Sequence, residues 1–392
     1  MSKRTELKKT AVFELEPDGF SIHTFELSKR LTMYEFQQMK SKLYQEQEKS
    51  KGKRFIYEDD ARPGTYHCTA YSKKGVRITL EHNRMESETD TYYVRMIINP
   101  RVLIEPGCSY LGILPPEESS IEKLGKTFKK LFSKSIFDND INSYYISRLD
   151  LCTNIRCGNN KLFREMVRVL RKLPTPPKYE RKKKRYEQGK KLSKKDVNMY
   201  NKHYLCFACG THELVIYDKT YQLQKGHLVN DNEGLPKGVL RFEVHCEREY
   251  IRKIGKESGD LDMLGLLWLM ITESENRIVN HFSRCFSDTK FVQLDALKQA
   301  IKKSGYKKKN KEAMLELASR LQRTQSVDKA LSKMEKQGYD TSGLLDRFSE
   351  LGISPIPLWK NFCAESLPGP VELLRHISAG EVSVDYVKVK YK

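Results

Sequence analysis

The chain has 392 residues, 39% hydrophobic and 31% charged, enough to bury a full core and too evenly mixed for a fibrous or membrane-spanning chain. Lysine and arginine number 71 against 51 aspartates and glutamates, a net charge of +20, which favours an anionic partner, nucleic acid foremost. The most apolar run, LDMLGLLWLMI from Leu261, is too short to cross a bilayer, and MSKRTELKKTAVF lacks the apolar core of a secretion signal; a cytoplasmic protein with no membrane contact is expected.

A β-rich first region spans residues 1–136. From Lys9 to about Pro100 the signals are mostly strand: YHCTAYS, GVRITLEH and TYYVRMIINP are rich in β-branched and aromatic residues, with turn residues between them. EESSIEKLGKTFKKLFSK, residues 117–134, then carries apolar positions at helical spacing.

Residues 137–290 form a second region. SYYISRLDLCTNI, Ser143 to Ile155, reads as a strand with Leu149 and Leu151 on one face and Arg148, Asp150 and Cys152 on the other. NNKLFREMVRVLRKL places Leu162, Phe163, Met166, Val167, Leu170 and Leu173 on one helical stripe, capped by Asn159 or Asn160 and stopped by Pro174. The charge run PPKYERKKKRYEQGKKLSKK, Pro176 to Lys195, reads as a solvated, disordered loop that DNA would order.

YLCFA and ELVIYDK are two strands with CGTH as their turn, and strand character runs on through ELVIYDKTYQL to Leu223. Cys206, Cys209 and His212 have the spacing C-x-x-C-x-x-H, but no second ligand cluster follows at a zinc-finger distance, so the turn reading is preferred to zinc. After GLPKG, VLRFEVHCE forms a further strand, with Arg241, Glu243 and His245 on one face and Phe242 and Val244 on the other. The fold class is therefore α+β, an antiparallel sheet with a helix packed on one side.

Residues 291–392 are helical and basic. EAMLELASRLQ, SVDKALSKMEK and GLLDRFSELG read as short helices, with Gly338 and Gly352 at helix ends. The last two make either a helical hairpin or a helix-turn-helix for a DNA groove.

The polar faces of these strands collect Arg148, Asp150, Tyr217, Lys219, Arg241, Glu243 and His245. Ion pairing, Arg148 with Glu243 and Asp150 with Arg241, would account for the charges alone. The set also supplies distinct chemical roles. Asp150, Glu243 and His245 suit Mg²⁺ or Mn²⁺. Lys219, two residues from Tyr217 and so on its face of a strand, would favour the phenolate or protonate a leaving oxygen. These parts fit attack by Tyr217 on a DNA phosphodiester.

The order SRLDL, a Lys/Arg-rich loop, VIYDK and LRFEVHCEREYIRKIG resembles the rolling-circle replication initiators of filamentous phages, of the gene II and gene X protein type, and related plasmid initiation factors. The resemblance is strongest from about Tyr144 to Gly255. It extends more weakly to YYVRMIINPRVLIEPG upstream and to EKQGYD and ELGI downstream. It implies a nicking-enzyme (HUH-like) core over the first two regions, with the helical third region helping to hold the origin. It also implies that Tyr217 of the Tyr-x-Lys motif takes the 5′ phosphate and leaves a 3′ hydroxyl for priming, with Lys219 as its companion. Arg148 and Asp150 match the Arg-x-Asp motif, and Arg241 and Glu243 the Arg-Phe-Glu motif, with the two acids as metal ligands. No His-x-His strand of the broader nicking class occurs, so the role of His245 rests on its place two residues after Glu243. Expected partners are single-stranded or hairpin origin DNA and a host helicase and polymerase, in a bacterial cytoplasm. A conjugative relaxase, a non-catalytic origin-binding protein, and Tyr221 as the nucleophile are the alternatives.

Overall fold

The computed structural model describes residues 7–50, 55–83, 90–183, 186–187, 190–225, 238–259, 261–324, 326–360, 362, 364–380 and 382–388. Its first element is the longest: β1 (Leu7–Leu31). A capping box turns the chain into α1 (Met33–Lys49), the Thr32 hydroxyl accepting from the Glu35 amide and the Glu35 carboxylate accepting from the Thr32 amide. The expectation of mostly strand before Pro100 passed over this helix. Its Thr-x-x-Glu start outweighs the neighbouring strand signals. A meander follows: β2 (Ile56–Asp59), β3 (Arg62–Cys68), β4 (Val76–Asn83) and β5 (Thr91–Ile98). After α2 (Pro100–Ile104), α3 (Glu118–Phe132) buries Ile121, Leu124, Phe128 and Phe132 along one stripe, as its spacing predicts.

β6 (Tyr145–Cys157) leads to α4 (Asn160–Leu170), capped by Asn159, whose side chain accepts from the Leu162 amide at 2.8 Å. The segment expected to be a disordered loop forms β7 (Glu180–Lys182) and a small ribbon of β8 (Tyr186–Glu187) with β9 (Lys190–Lys191), then α5 (Lys194–Tyr200). β10 (Tyr204–Ala208) and β11 (His212–Asp218) make the expected hairpin. The strand does not run on to Leu223. α6 (Lys219–Lys225) starts instead, because Asp218 accepts a hydrogen bond from the Tyr221 amide at 2.8 Å and so caps a first helical turn. Most of GLPKG lies outside the described residues. β12 (Val239–Glu247), α7 (Arg248–Glu257), α8 (Met263–Thr272) and α9 (Ser274–Cys285) complete this part.

Eleven strands join in one sheet, ten of them in the order β2-β3-β4-β5-β1-β6-β12-β11-β10-β7 and the eleventh, Val382–Lys388, on β1, every pairing antiparallel. Leu149, Leu151, Phe242 and Val244 face the main core, where α9 lays Phe282 edge-on to Phe242 with ring centroids 5.4 Å apart. Register then fixes the opposite face. Tyr217 is paired with Arg241, Val215 with Glu243, Glu213 with His245, and His245 with Asp150. The expected division of both strands between an apolar and a polar face therefore holds.

The described residues that follow are mostly helical, with two short strands: β13 (Phe291–Val292), α10 (Leu294–Lys303), α11 (Lys308–Leu321), α12 (Val327–Glu335), α13 (Leu344–Glu350), β14 (Ser366–Leu367) and α14 (Pro370–Ile377). β15 (Val382–Lys388) returns to pair with β1. These helices share one continuous core with the sheet. They lean on α4: Lys172 Nζ donates to the Leu321 carbonyl and the Trp359 amide to Glu165. The architecture is mixed α+β, with a large antiparallel sheet and fourteen α-helices among the described residues.

Candidate active site

The polar face of the sheet centre brings the predicted side chains together. Tyr217 donates its hydroxyl proton to Glu243 Oε1 at 2.8 Å. Lys219, although on a helix, still lies against the phenol, its Nζ 5.9 Å from the Tyr217 ring centroid and hydrogen-bonded to Gln222 at 2.9 Å. Arg241 is fully buried. Its Nε donates to Asn154 Oδ1 at 2.6 Å, one terminal nitrogen donates to the Leu111 carbonyl, and the other, Nη1, stands 3.7 Å from Glu243 Oε1 with no hydrogen bond among the described residues.

Arg148 and Asp150 pair with each other, Nε to Oδ1 at 2.7 Å, and Thr24 donates to the second carboxylate oxygen of Asp150. The cross-strand pairs Arg148–Glu243 and Asp150–Arg241 that sequence alone suggests do not form. Arg-x-Asp and Arg-x-Glu close within their own strands, because residues two apart share a face. Tyr221 leaves the group altogether and stacks on His203 with centroids 3.9 Å apart.

One member was not anticipated. His23 Nδ1 stands 3.7 Å from Glu243 Oε1. The β1–β6 register shifts between Ile22, opposite Leu151, and Thr24, opposite Asp150. The extra residue of that bulge is His23, so Ile22 stays in the core while Thr24 meets Asp150. A lone histidine in a strand carries no signal of this kind. Only the irregular long-range pairing reveals it.

His245 sits at the centre. Its Nε2 is 2.8 Å from Glu243 Oε2 and 3.9 Å from Asp150 Oδ1, and its Nδ1 is 3.2 Å from Glu213 Oε2 and 2.9 Å from Arg148 Nη2. Burial works to lower its pKa, but Asp150, Glu213 and Glu243 together push it up to about 9. Burial would raise Glu243, yet the His245 hydrogen bond and the charges of His245, His23 and Arg241 hold it well below the usual carboxylate range. The expectation that Lys219 favours a phenolate is reversed here. Burial, and then the Glu243 charge, hold the Tyr217 phenol well above its ordinary value, while burial and Arg241 lower Lys219. Tyr217 therefore stands as a neutral donor to an ionised carboxylate.

The donors suit a divalent cation chemically: two carboxylates and two imidazoles, with His245 Nε2 2.8 Å from Glu243 Oε2 and 3.9 Å from Asp150 Oδ1, and His23 Nδ1 3.7 Å from Glu243 Oε1. Asp150, Glu243, His245 and His23 would hold it. In this arrangement they are engaged with one another and with Arg148, Thr24 and Tyr217. Among the described residues no three acidic, histidine or cysteine side chains converge as a ready ligand group.

Solvent approaches from the Asp150 side. A cleft of about 120 Å³ is lined by Thr24, Glu26, Arg77, Arg148 and Asp150. Over Arg241 the chain segment around Leu111 forms a strap: its carbonyl accepts from Asn154 at 2.9 Å and from Arg241, while Ile113 and Leu114 amides donate to Asp18 and the Ile22 carbonyl. Among the described residues no helix is long and apolar enough to cross a membrane. No protein-family model matches the chain, and no curated protein sequence matches it.

Proposed function

We propose that the protein is a metal-dependent, single-strand DNA endonuclease and strand transferase that initiates rolling-circle replication. The observation that carries this reading is Tyr217 bonded to the ionised Glu243 beside Arg241 Nη1, which has no hydrogen bond among the described residues. A phenol with a base on it and a cation with a free donor are what attack on a phosphodiester requires. The resemblance of SRLDL, VIYDK and LRFEV to phage and plasmid initiators supports it, as does the net charge of +20.

In this reading Tyr217 Oη attacks phosphorus and its proton passes to Glu243. The 3′ oxygen leaves, and the 5′ phosphate becomes an ester of tyrosine. Arg241 Nη1 holds a non-bridging oxygen. An incoming phosphate raises the proton affinity of Lys219, which then protonates the leaving 3′ oxygen. A bound Mg²⁺ or Mn²⁺ supplies charge neutralisation at the phosphate. Arg148 and Arg77, on the cleft, position the strand. With Tyr217 only 6% exposed, DNA binding must first open the packing over the phenol.

The same burial favours a second reading, a non-catalytic origin-binding protein in which these groups form a closed network. One experiment separates the two. The protein is incubated with single-stranded oligonucleotides tiling the DNA around its coding region, with Mg²⁺ or Mn²⁺, and run on a denaturing gel. A covalent adduct whose DNA-bearing peptide contains Tyr217 supports the enzyme. Binding with no adduct under either metal supports the network.

A further inference from the structure

The fold supplies what the Cys206–Cys209–His212 spacing lacked along the chain, a second pair of ligand residues. Cys206 itself is buried in β10, its Sγ turned toward Glu213. Cys209 and His212 stand at the turn of the hairpin, Sγ 3.3 Å from Nδ1 and 3.8 Å from Nε2, with the Cys209 amide bonded to the His212 carbonyl at 3.0 Å. On α9, His281 and Cys285 are four residues apart and so share one helical face. The His281 ring lies against that of His212, centroids 4.3 Å apart.

The Tyr179 hydroxyl lies among these groups. It is 2.5 Å from His212 Nε2, and the thiols of Cys285 and Cys209 lie near enough to bear on its ionisation. One polar atom thus touches His212 and neighbours both candidate thiols. A C-x₂-H turn facing an H-x₃-C helix also repeats the turn-and-helix ligand spacing of structural zinc sites. Two thiolates would neutralise a divalent cation. The His281 Nε2–Tyr250 hydroxyl contact, 2.9 Å, backed by Arg277 at 3.1 Å, is the outer-shell support that orients a ligating imidazole.

We propose that Cys209, His212, His281 and Cys285 form a tetrahedral structural site for Zn²⁺, in which the metal takes the place of the Tyr179 hydroxyl and clamps the β10–β11 turn to α9. The hydroxyl as wedge explains why these donors do not already converge: Zn–S bonds are about 2.3 Å and Zn–N bonds about 2.0 Å, shorter than hydrogen bonds to the same atoms. The site is separate from the sheet-centre cluster. It would fix the hairpin whose second strand carries Tyr217.

The test uses the full chain, stripped of metal and titrated with Co²⁺, then with Zn²⁺. A thiolate-to-cobalt charge-transfer band with tetrahedral visible bands, one equivalent per chain and displaced by Zn²⁺, is expected. It is lost in Cys209→Ser and in Cys285→Ser, kept in Cys206→Ser, and formed at lower cobalt concentration in Tyr179→Phe. Because a serine variant can fail to fold, thiol alkylation of the wild-type chain is mapped by mass spectrometry with and without Zn²⁺. Protection of Cys209 and Cys285, with Cys108 unchanged, supports the site. A chain with no cobalt–thiolate band, a band that survives the loss of both cysteines, or zinc that leaves the alkylation of Cys209 and Cys285 unchanged overturns it.

Discussion

Tyr217→Phe separates chemistry from binding and from folding. The phenyl ring keeps the volume of the phenol and its contact with Tyr204, centroids 6.1 Å apart, so no cavity opens. What goes is one hydrogen bond to an ionised carboxylate, about 1.5–3 kcal/mol for such bonds. Part of that returns, since Arg241 Nη1 and His23 Nδ1 each stand 3.7 Å from the oxygen left behind and hold it electrostatically. A net loss of about 1–2 kcal/mol in a urea titration is the expected outcome. Adduct formation on a labelled single-stranded origin should fall to background, because no other atom can form that ester. Affinity should change by less than about threefold, under 1 kcal/mol, the hydroxyl being buried away from the cleft. Tyr221→Phe, its ring stacked on His203, should keep full adduct yield. A Tyr217→Phe variant that still forms adduct at the wild-type rate would refute the assignment, as would a DNA-bearing peptide mapping to Tyr221.

Four other outcomes are expected. Asp150→Ala and Glu243→Ala should each remove metal-dependent adduct formation, and an adduct yield that stays flat across a chelator titration of the wild-type protein would contradict the metal site. Arg241→Met leaves Glu243 without its buried guanidinium and should cost about 3–5 kcal/mol in denaturant unfolding; a loss below about 1 kcal/mol would show the network to be slack. Arg77→Ala, on the exposed rim of the cleft, should lower the slope of log Kd against log salt by about 1, with little sequence dependence. Lys172 is lowered to about 8, by burial first and then by the Arg168 charge, so between pH 8 and its unfolded value the unfolded chain binds more protons and stability rises with pH. Allowing for partial solvent access, wild type should gain on the order of 1–2 kcal/mol over Lys172→Met between about pH 7.5 and 10, read as the difference in urea midpoints. No relative gain would rule that shift out.

Alternation made the site strands legible. In RLDL and LRFEVHC each apolar residue faces the core and each polar one the other face, a period that needs no knowledge of the partner strand. Caps were legible in principle and partly missed. Asn159 was read, while Thr32 with Glu35 and Asp218 with Tyr221 start helices inside segments whose composition favours strand. His23 and the Cys209–Cys285 neighbourhood were not readable, because they depend on a bulge in β1 and on α9 packing beside a hairpin turn far from it in sequence. Ion-pair partners were misassigned for a related reason. Side-chain reach within a strand competed with cross-strand pairing, and the shorter geometry won.

The energetics of the sheet centre bear on which reading of it is stronger. Backbone ladders already join β6, β12 and β11 along their whole length, so stapling these strands calls for no ionic groups. Replacing a buried ion pair by packed apolar side chains is often neutral or stabilising. Here Asp150, Arg241, Glu243, His245 and Lys219 are all buried, and one guanidinium N–H makes no hydrogen bond among the described residues. A Lys219 whose proton is destabilised is a poor choice for a staple. Both deficits would be corrected by one event, the arrival of a phosphate: its oxygen satisfies Arg241 Nη1 and its charge restores the proton on Lys219. Under the proposed function, that shared answer is what favours the catalytic reading over the closed network.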